Sequence, residues 1–224
     1  LSGSGAVEFA GVIGGTANKH LGALSVNSSG SDTGQIDILA IGTTTDAGVE
    51  GDVALGNTSS TGVDFDGVIY NVGGTGTLDV KSTSSGQAIT FSGSAATTVK
   101  TNNATIDFTN GVIATAQNLT IQSTGGPITI NSVMGSSTDK DLTVNADSTD
   151  GGANGDTGET ISIGAIGDSN EIGAVTLDAA DGITLTGDIE LADAAGADLD
   201  IDGKVFISGD VTIDTDNTTN DGTI

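Results

Sequence analysis

Asp198-Leu-Asp200-Ile-Asp202-Gly203 is the segment whose residue types and spacing come nearest to chemistry. Aspartates at alternate positions followed by glycine match the first half of a calcium loop, where carboxylates and a sharp glycine turn surround a hard cation with oxygen. The twelfth position of such a loop would be Gly209, where a bidentate Glu is needed, so the helix-loop-helix form of the site fails on its chemistry. The competing expectation is structural, with Leu199 and Ile201 pointing inward from a strand and the aspartates outward. Asp214, Asp216 and Asp221 form a further acidic turn. Together with Asp198, Asp200 and Asp202 they are the candidate metal ligands, and Ca2+ is the one cofactor the sequence suggests. Asp150-Gly-Gly-Ala-Asn-Gly-Asp156 approaches the glycine-rich calcium nonapeptide, but its glycine comes one place late and no tandem copy follows.

Catalysis finds less support. Asp64/Asp66 and Asp139/Asp141 are spaced to share one face of a strand, as a pair of acids acting on a glycosidic bond would be. A polysaccharide-cleaving groove also wants Arg or Lys and aromatic platforms, and this chain has no Arg or Trp, one Tyr and five Phe. His20 stands alone beside Lys19, where a surface loop is the plain expectation. The chain is therefore expected not to be an enzyme, with a carbohydrate-active protein as the weaker alternative. Asn27, Asn57, Asn103, Asn118 and Asn217 head Asn-x-Ser/Thr triplets, which matter only on an export route that glycosylates asparagine. Asn118, just before Leu119/Ile121, could instead stack in an internal asparagine row.

Charge narrows the partners. Thirty acidic residues against five lysines give a net charge of −25. Nucleic acid and anionic membranes need clustered Lys or Arg, so neither is expected as a partner. No apolar run approaches the ~18 residues of a membrane-spanning helix. Outward carboxylates stacked at the ~4.8 Å strand separation would repel one another, which is a reason to expect stabilisation by divalent cations.

These polar residues need a scaffold, and the scaffold is written in triplets. Val7/Phe9, Leu24/Val26, Ile36/Ile38, Val53/Leu55, Val63/Phe65 and Leu78/Val80 place aliphatic or aromatic residues at i and i+2, and the pattern continues to Val211/Ile213. Period-two alternation makes half-buried strands. Gly, Asn, Asp, Ser and Thr fill the intervals, and the single proline, Pro127, sits just before a strand. Many copies add an apolar pair after the triplet, as in Val12-Ile13 and Val68-Ile69. Triplets starting at Val7, Ile36, Val63, Ile106, Ile128, Ile161, Ile183 and Val205, with a degenerate copy at Ile89, recur at roughly 20–30 residues, the range of repeat architectures. One copy cannot bury its own apolar face, so copies must stack. Loops of irregular length argue against a hexapeptide left-handed coil. The chain is thus expected to be all-β, a right-handed parallel β-helix of roughly 20–30 residues per coil, with residues 1–224 a single solenoid segment. That segment would be a window of a longer array or one subunit of a fibre.

Two stretches carry the repeat most sharply: Val7-Glu-Phe9 through Leu21-Gly-Ala-Leu-Ser-Val-Asn27, and Ile161-Ser-Ile163 through Ile172-Gly-Ala-Val-Thr-Leu-Asp178. The first of them resembles the repeats of filamentous-haemagglutinin-like and autotransporter-like bacterial surface adhesins. The resemblance implies a β-helical shaft at the bacterial cell surface or outside it, structural or adhesive. Its partners would be further coils, whether a continuation of the chain or end-to-end self-association, and also glycans or other surface proteins. A calcium-dependent glycan- or protein-binding module is the alternative. No functional residue carries over, because the shared motif is a folding motif.

Overall fold

The computed structural model of the chain describes residues 4–17, 19–83, 88–136, 140–147 and 158–215. Every described strand, from Val7–Ile13 to Ile213–Asp214, belongs to one parallel hydrogen-bonded system, and no helix interrupts the described residues. The chain winds into stacked coils, a β-solenoid of about 8 turns. At ~4.8 Å per coil the stack is on the order of 40 Å tall.

Three faces run up the stack. Face A aligns Val7, Ile36, Val63, Ile89, Ile113, Val133, Ile166, Ile189 and Ile213. Face B aligns Ile13, Ile41, Tyr70, Val99, Ile121, Val144, Leu177 and Ile201. Face C aligns Leu24, Val53, Leu78, Ile106, Ile128, Ile161, Ile183 and Val205. Backbone amides of one coil donate to carbonyls of the next, as from Val7 to Gln35, Ile36 to Gly62 and Val63 to Ala88, at 2.9, 3.0 and 2.9 Å. The inward residues of all three faces merge into one core cluster reaching from Ile13 to Leu199. Each coil roofs the one below it, which supplies the burial that a single coil lacks.

The sharp corner of the coil moves along the stack. Near the start, one unbroken strand, Ile36–Ile41, serves faces A and B, pairing with Val63 at one end and Tyr70 at the other. Farther on, Ile128–Gly135 serves faces C and A, and Thr160–Ile166 does the same. At that corner Gly164 passes so close to the preceding coil that a Cβ would sit 1.9 Å from the Asn131 carbonyl oxygen.

This migration corrects the repeat as read from sequence. The degenerate copy at Ile89 is a full member of face A, stacked between Val63 and Ile113. The starting points from Ile106 onward lie on face C, whereas Val7, Ile36 and Val63 lie on face A. The two sharpest stretches are not copies in one column. Residues 7–27 visit faces A, B and C in turn, while residues 161–178 visit C, A and B. Their likeness is that of a sharp corner followed by a loop and a strand, turned by one face.

The apolar pairs also split. Val12 is 53% exposed and Val68 44%; Ile13 turns into the core, whereas Ile69 is half-buried in the outward row below Thr98 and Tyr70 takes the inward place. Val205, Phe206 and Ile207 are all exposed, against the inward placement expected of Val205 and Ile207. No described strand lies beyond them on face C, so they lack the roof that buries Ile183 and Leu185.

Candidate functional site

Outward side chains stack in rows as regular as the inward ones. On face A, Glu8, Asp37 and Asp64 align, and Thr90 and Ala114 continue the row without charge. On face C, Asp79 stands over Asp107, with Ala54 before and Thr129 after. On face B, Thr98, Thr120, Thr143 and Thr176 lead to Asp200, and beside them Lys100, Gln122, Asn145 and Asp178 lead to Asp202. The rows of Glu8, Asp37 and Asp64 and of Asp79 and Asp107 therefore run for three and two coils and then give way to neutral side chains, which limits repulsion that grows with every added charge.

Within each run the relief is local. Lys81 Nζ lies 2.6 Å from Asp79 Oδ2. The Ser92 hydroxyl contacts both Asp64 and Asp66, at 2.9 and 2.7 Å, and the Thr90 hydroxyl donates to Asp64 at 2.7 Å. Asp64 and Asp66 thus share a face, held by hydroxyls of the next coil. Burial pushes the Asp37 carboxyl above its ordinary value, and Asp64, Asp66 and Glu8 push the same way against a hydrogen bond from Gln35.

The candidate calcium ligands fall on two faces. Asp200 and Asp202 project from face B and Asp198 precedes them on the same side, whereas Asp214 projects from face A above Glu190. Asp216 and Asp221 lie outside the described residues, as do Asp139, Asn217 and the whole of 150–156. Among the described residues, no three His, Asp or Glu side chains converge as a complete metal cage.

A different acidic group, which spacing in the sequence did not single out, gathers where face B turns away. Asn145 bridges two coils: its Nδ2 donates to Asp178 Oδ2 at 2.8 Å, and its Oδ1 accepts from the Asp147 amide at 2.8 Å. Asp202 stacks on Asp178 from the far side. Burial raises the Asp178 carboxyl above its ordinary value, followed by the charges of Asp147 and Asp202, against the hydrogen bond from Asn145. Asp147 and Asp178 lie in different repeats, so only the coil stacking brings them together.

His20 is not isolated. Its Nδ1 lies 3.5 Å from Glu50 Oε1, and the pair borders a cleft of about 370 Å3 that Asp46, Asn71, Lys100 and Asn102 help to line. Lys100 Nζ donates to the Thr44 carbonyl at 2.5 Å and Asn71 Nδ2 to the Thr43 carbonyl at 2.9 Å, fixing the loop that forms one wall. Asn118 does not take the alternative place in an internal asparagine row. Asn118 is exposed and exchanges hydrogen bonds with Asp141 of the next coil. The buried asparagines among the described residues are instead Asn27, Asn57 and Asn71, the first two at a corner where Asn57 Nδ2 donates to the Asn27 carbonyl at 2.6 Å.

Compared with known proteins, the chain matches no family model, no curated protein and no solved structure.

Proposed function

We propose that this chain is a segment of the shaft of an extracellular bacterial surface or matrix fibre, with a structural or adhesive role and no catalysis. The observation that carries the reading is the unbroken cross-coil pairing from Val7 to Asp214 around one core, with polar side chains on the outside. Such a stack extends by adding coils without redesign, because each coil contacts only its neighbours. The net charge of −25 keeps neighbouring shafts apart at low salt. The resemblance of residues 7–27 to adhesin repeats supports the location. Immunogold labelling of cells that make the protein tests it: label on filaments or on the outer surface is expected, and label confined to the cell interior overturns the reading.

A glycan- or protein-binding module is the second reading, favoured by the cleft at His20, Glu50 and Lys100. Its walls offer carboxylate acceptors beside amide and ammonium donors, the mix a sugar's hydroxyls require. A glycan array probed with the wild-type chain and with Glu50→Gln separates the two readings. Saturable binding lost in the variant favours the module, and no binding leaves the shaft reading alone.

A further inference from the structure

Asp147 presents an unsolved electrostatic problem. It is 4% exposed, and its Oδ1 is buried without a hydrogen-bond partner. Leaving a buried carboxylate oxygen unpaired is among the costlier arrangements a fold can hold. The surroundings add to the cost. Asp147 is the foremost of the neighbouring charges acting on Asp178, and Asp202 follows in the same column. Asn145, the neutral group that bridges them, already spends its Nδ2 on Asp178 Oδ2 and its Oδ1 on the Asp147 amide. None of the five lysines offers an answer. Lys81 pairs with Asp79 on face C, Lys100 is held at the Thr44 carbonyl, and none is among the groups acting on Asp178.

We propose that a calcium ion binds between two coils at this corner, held by Asp147 Oδ1 and the Asp178 carboxylate, with Asp202 contributing charge from the next coil. Calcium is the cation whose coordination fits. It takes six to eight oxygens in flexible geometry and accepts water for those the protein does not supply. Two direct carboxylates and a partly hydrated shell place the affinity in the weak class, on the order of 10⁻⁴ to 10⁻³ M, typical of extracellular modules. The ion would cross-link coils whose ligands are 31 residues apart in sequence (178 minus 147), so it acts as a staple on the stack. The site shares Asp202 with the candidate ligands read from the sequence but uses none of Asp198, Asp200 and Asp214, and it does not depend on the shaft reading.

The test is thermal unfolding followed by circular dichroism at pH 7.5, in chelator and in 10 mM CaCl2, with NaCl matching the ionic strength. Wild-type protein is expected to melt on the order of 3–6 °C higher in calcium than in matched NaCl. Asp147→Asn should melt no lower than wild type in chelator, since it removes an unpaired charge, and should lose the calcium shift. Asp178→Asn should lose it too, which guards against a folding defect in the first variant. Asp64→Asn, on face A, should keep it. Equilibrium dialysis against radioactive calcium should show bound ion lost in both corner variants. No calcium shift in the wild type, a shift that survives Asp147→Asn, or an equal loss in Asp64→Asn would each overturn the proposal, the last pointing to diffuse screening.

Discussion

Phe65 and Phe91 stack face to face on successive coils of face A, their ring centroids 4.7 Å apart and their planes 10° from parallel. The separation is that of the coils themselves, so the rings meet without either strand moving aside. Tyr70 packs its edge against Phe65 with centroids 4.7 Å apart. In a chain with only six aromatic residues, this cluster gathers three of them in the core. Phe91→Ala should cost about 3–5 kcal/mol. Phe206→Ala, at a residue 53% exposed, should change stability by no more than about 0.5 kcal/mol. Denaturant titration of the two variants checks the contrast, and similar losses would contradict the packing described.

Tyr70 contributes through its hydroxyl as well. The oxygen accepts from the Gly67 amide at 2.7 Å and lies 3.0 Å from the Ile38 carbonyl of the previous coil. Burial pushes the phenol far above its ordinary value, so it remains a neutral donor across the accessible pH range. Tyr70→Phe keeps the ring and strands the Gly67 amide, and should cost about 1–3 kcal/mol. Its amide should also exchange hydrogen faster than those of neighbouring coils, which hydrogen-exchange mass spectrometry would detect.

Glycines at the corners should divide by clearance. Gly164→Ala drives a Cβ onto the Asn131 backbone oxygen, and the neighbour cannot yield as a side chain could. A loss of at least 1–3 kcal/mol, roughly, is expected. Gly22→Ala meets nothing within 4 Å and should be neutral or stabilise by about 0.4–1 kcal/mol, because it restricts the unfolded chain. Melting temperatures moving in the same direction for both would refute the close approach at Gly164.

Asp178 makes stability depend on pH in a direction opposite to that of a salt-bridged carboxylate. Its folded-state value lies above the ordinary 3.8, through burial first and then Asp147 and Asp202. The folded chain therefore holds this proton more tightly than the unfolded chain does. The penalty is complete above the folded value, falls as pH drops through it, and is gone below the unfolded value. In chelator, Asp178→Asn should be more stable than wild type at pH 7. The advantage should shrink as the pH is lowered and vanish below about 3.8. An advantage that does not vary with pH would mean that packing, and not ionisation, is responsible.

Much of the fold was legible from alternation alone. Val63/Phe65 and Ile183/Leu185 point inward because an extended chain sends i and i+2 to the same side, and a chain so poor in aromatic residues buries its aliphatic residues by stacking coils. The column to which a triplet belongs was not legible. Ile106 and Val63 look alike in sequence and lie on different faces, since triplet, turn and triplet read the same from any corner of a three-sided coil. Even the inward rule needs a roof, as exposed Val205 and Ile207 show.

The polar chemistry was less visible still. Asp198, Asp200 and Asp202 stood out because they are close in sequence, yet alternate positions on a strand carry them to open solvent. Asp147 and Asp178 drew no notice as a pair, because nothing in a linear string marks residues a full coil apart as neighbours. What the sequence determined by itself was the period-two burial and the need for stacking, both of which depend on adjacent residues. Which carboxylates face each other, and that Asp147 keeps a buried oxygen without a partner, was decided by tertiary structure alone, because loop lengths set the phase of each coil against the next.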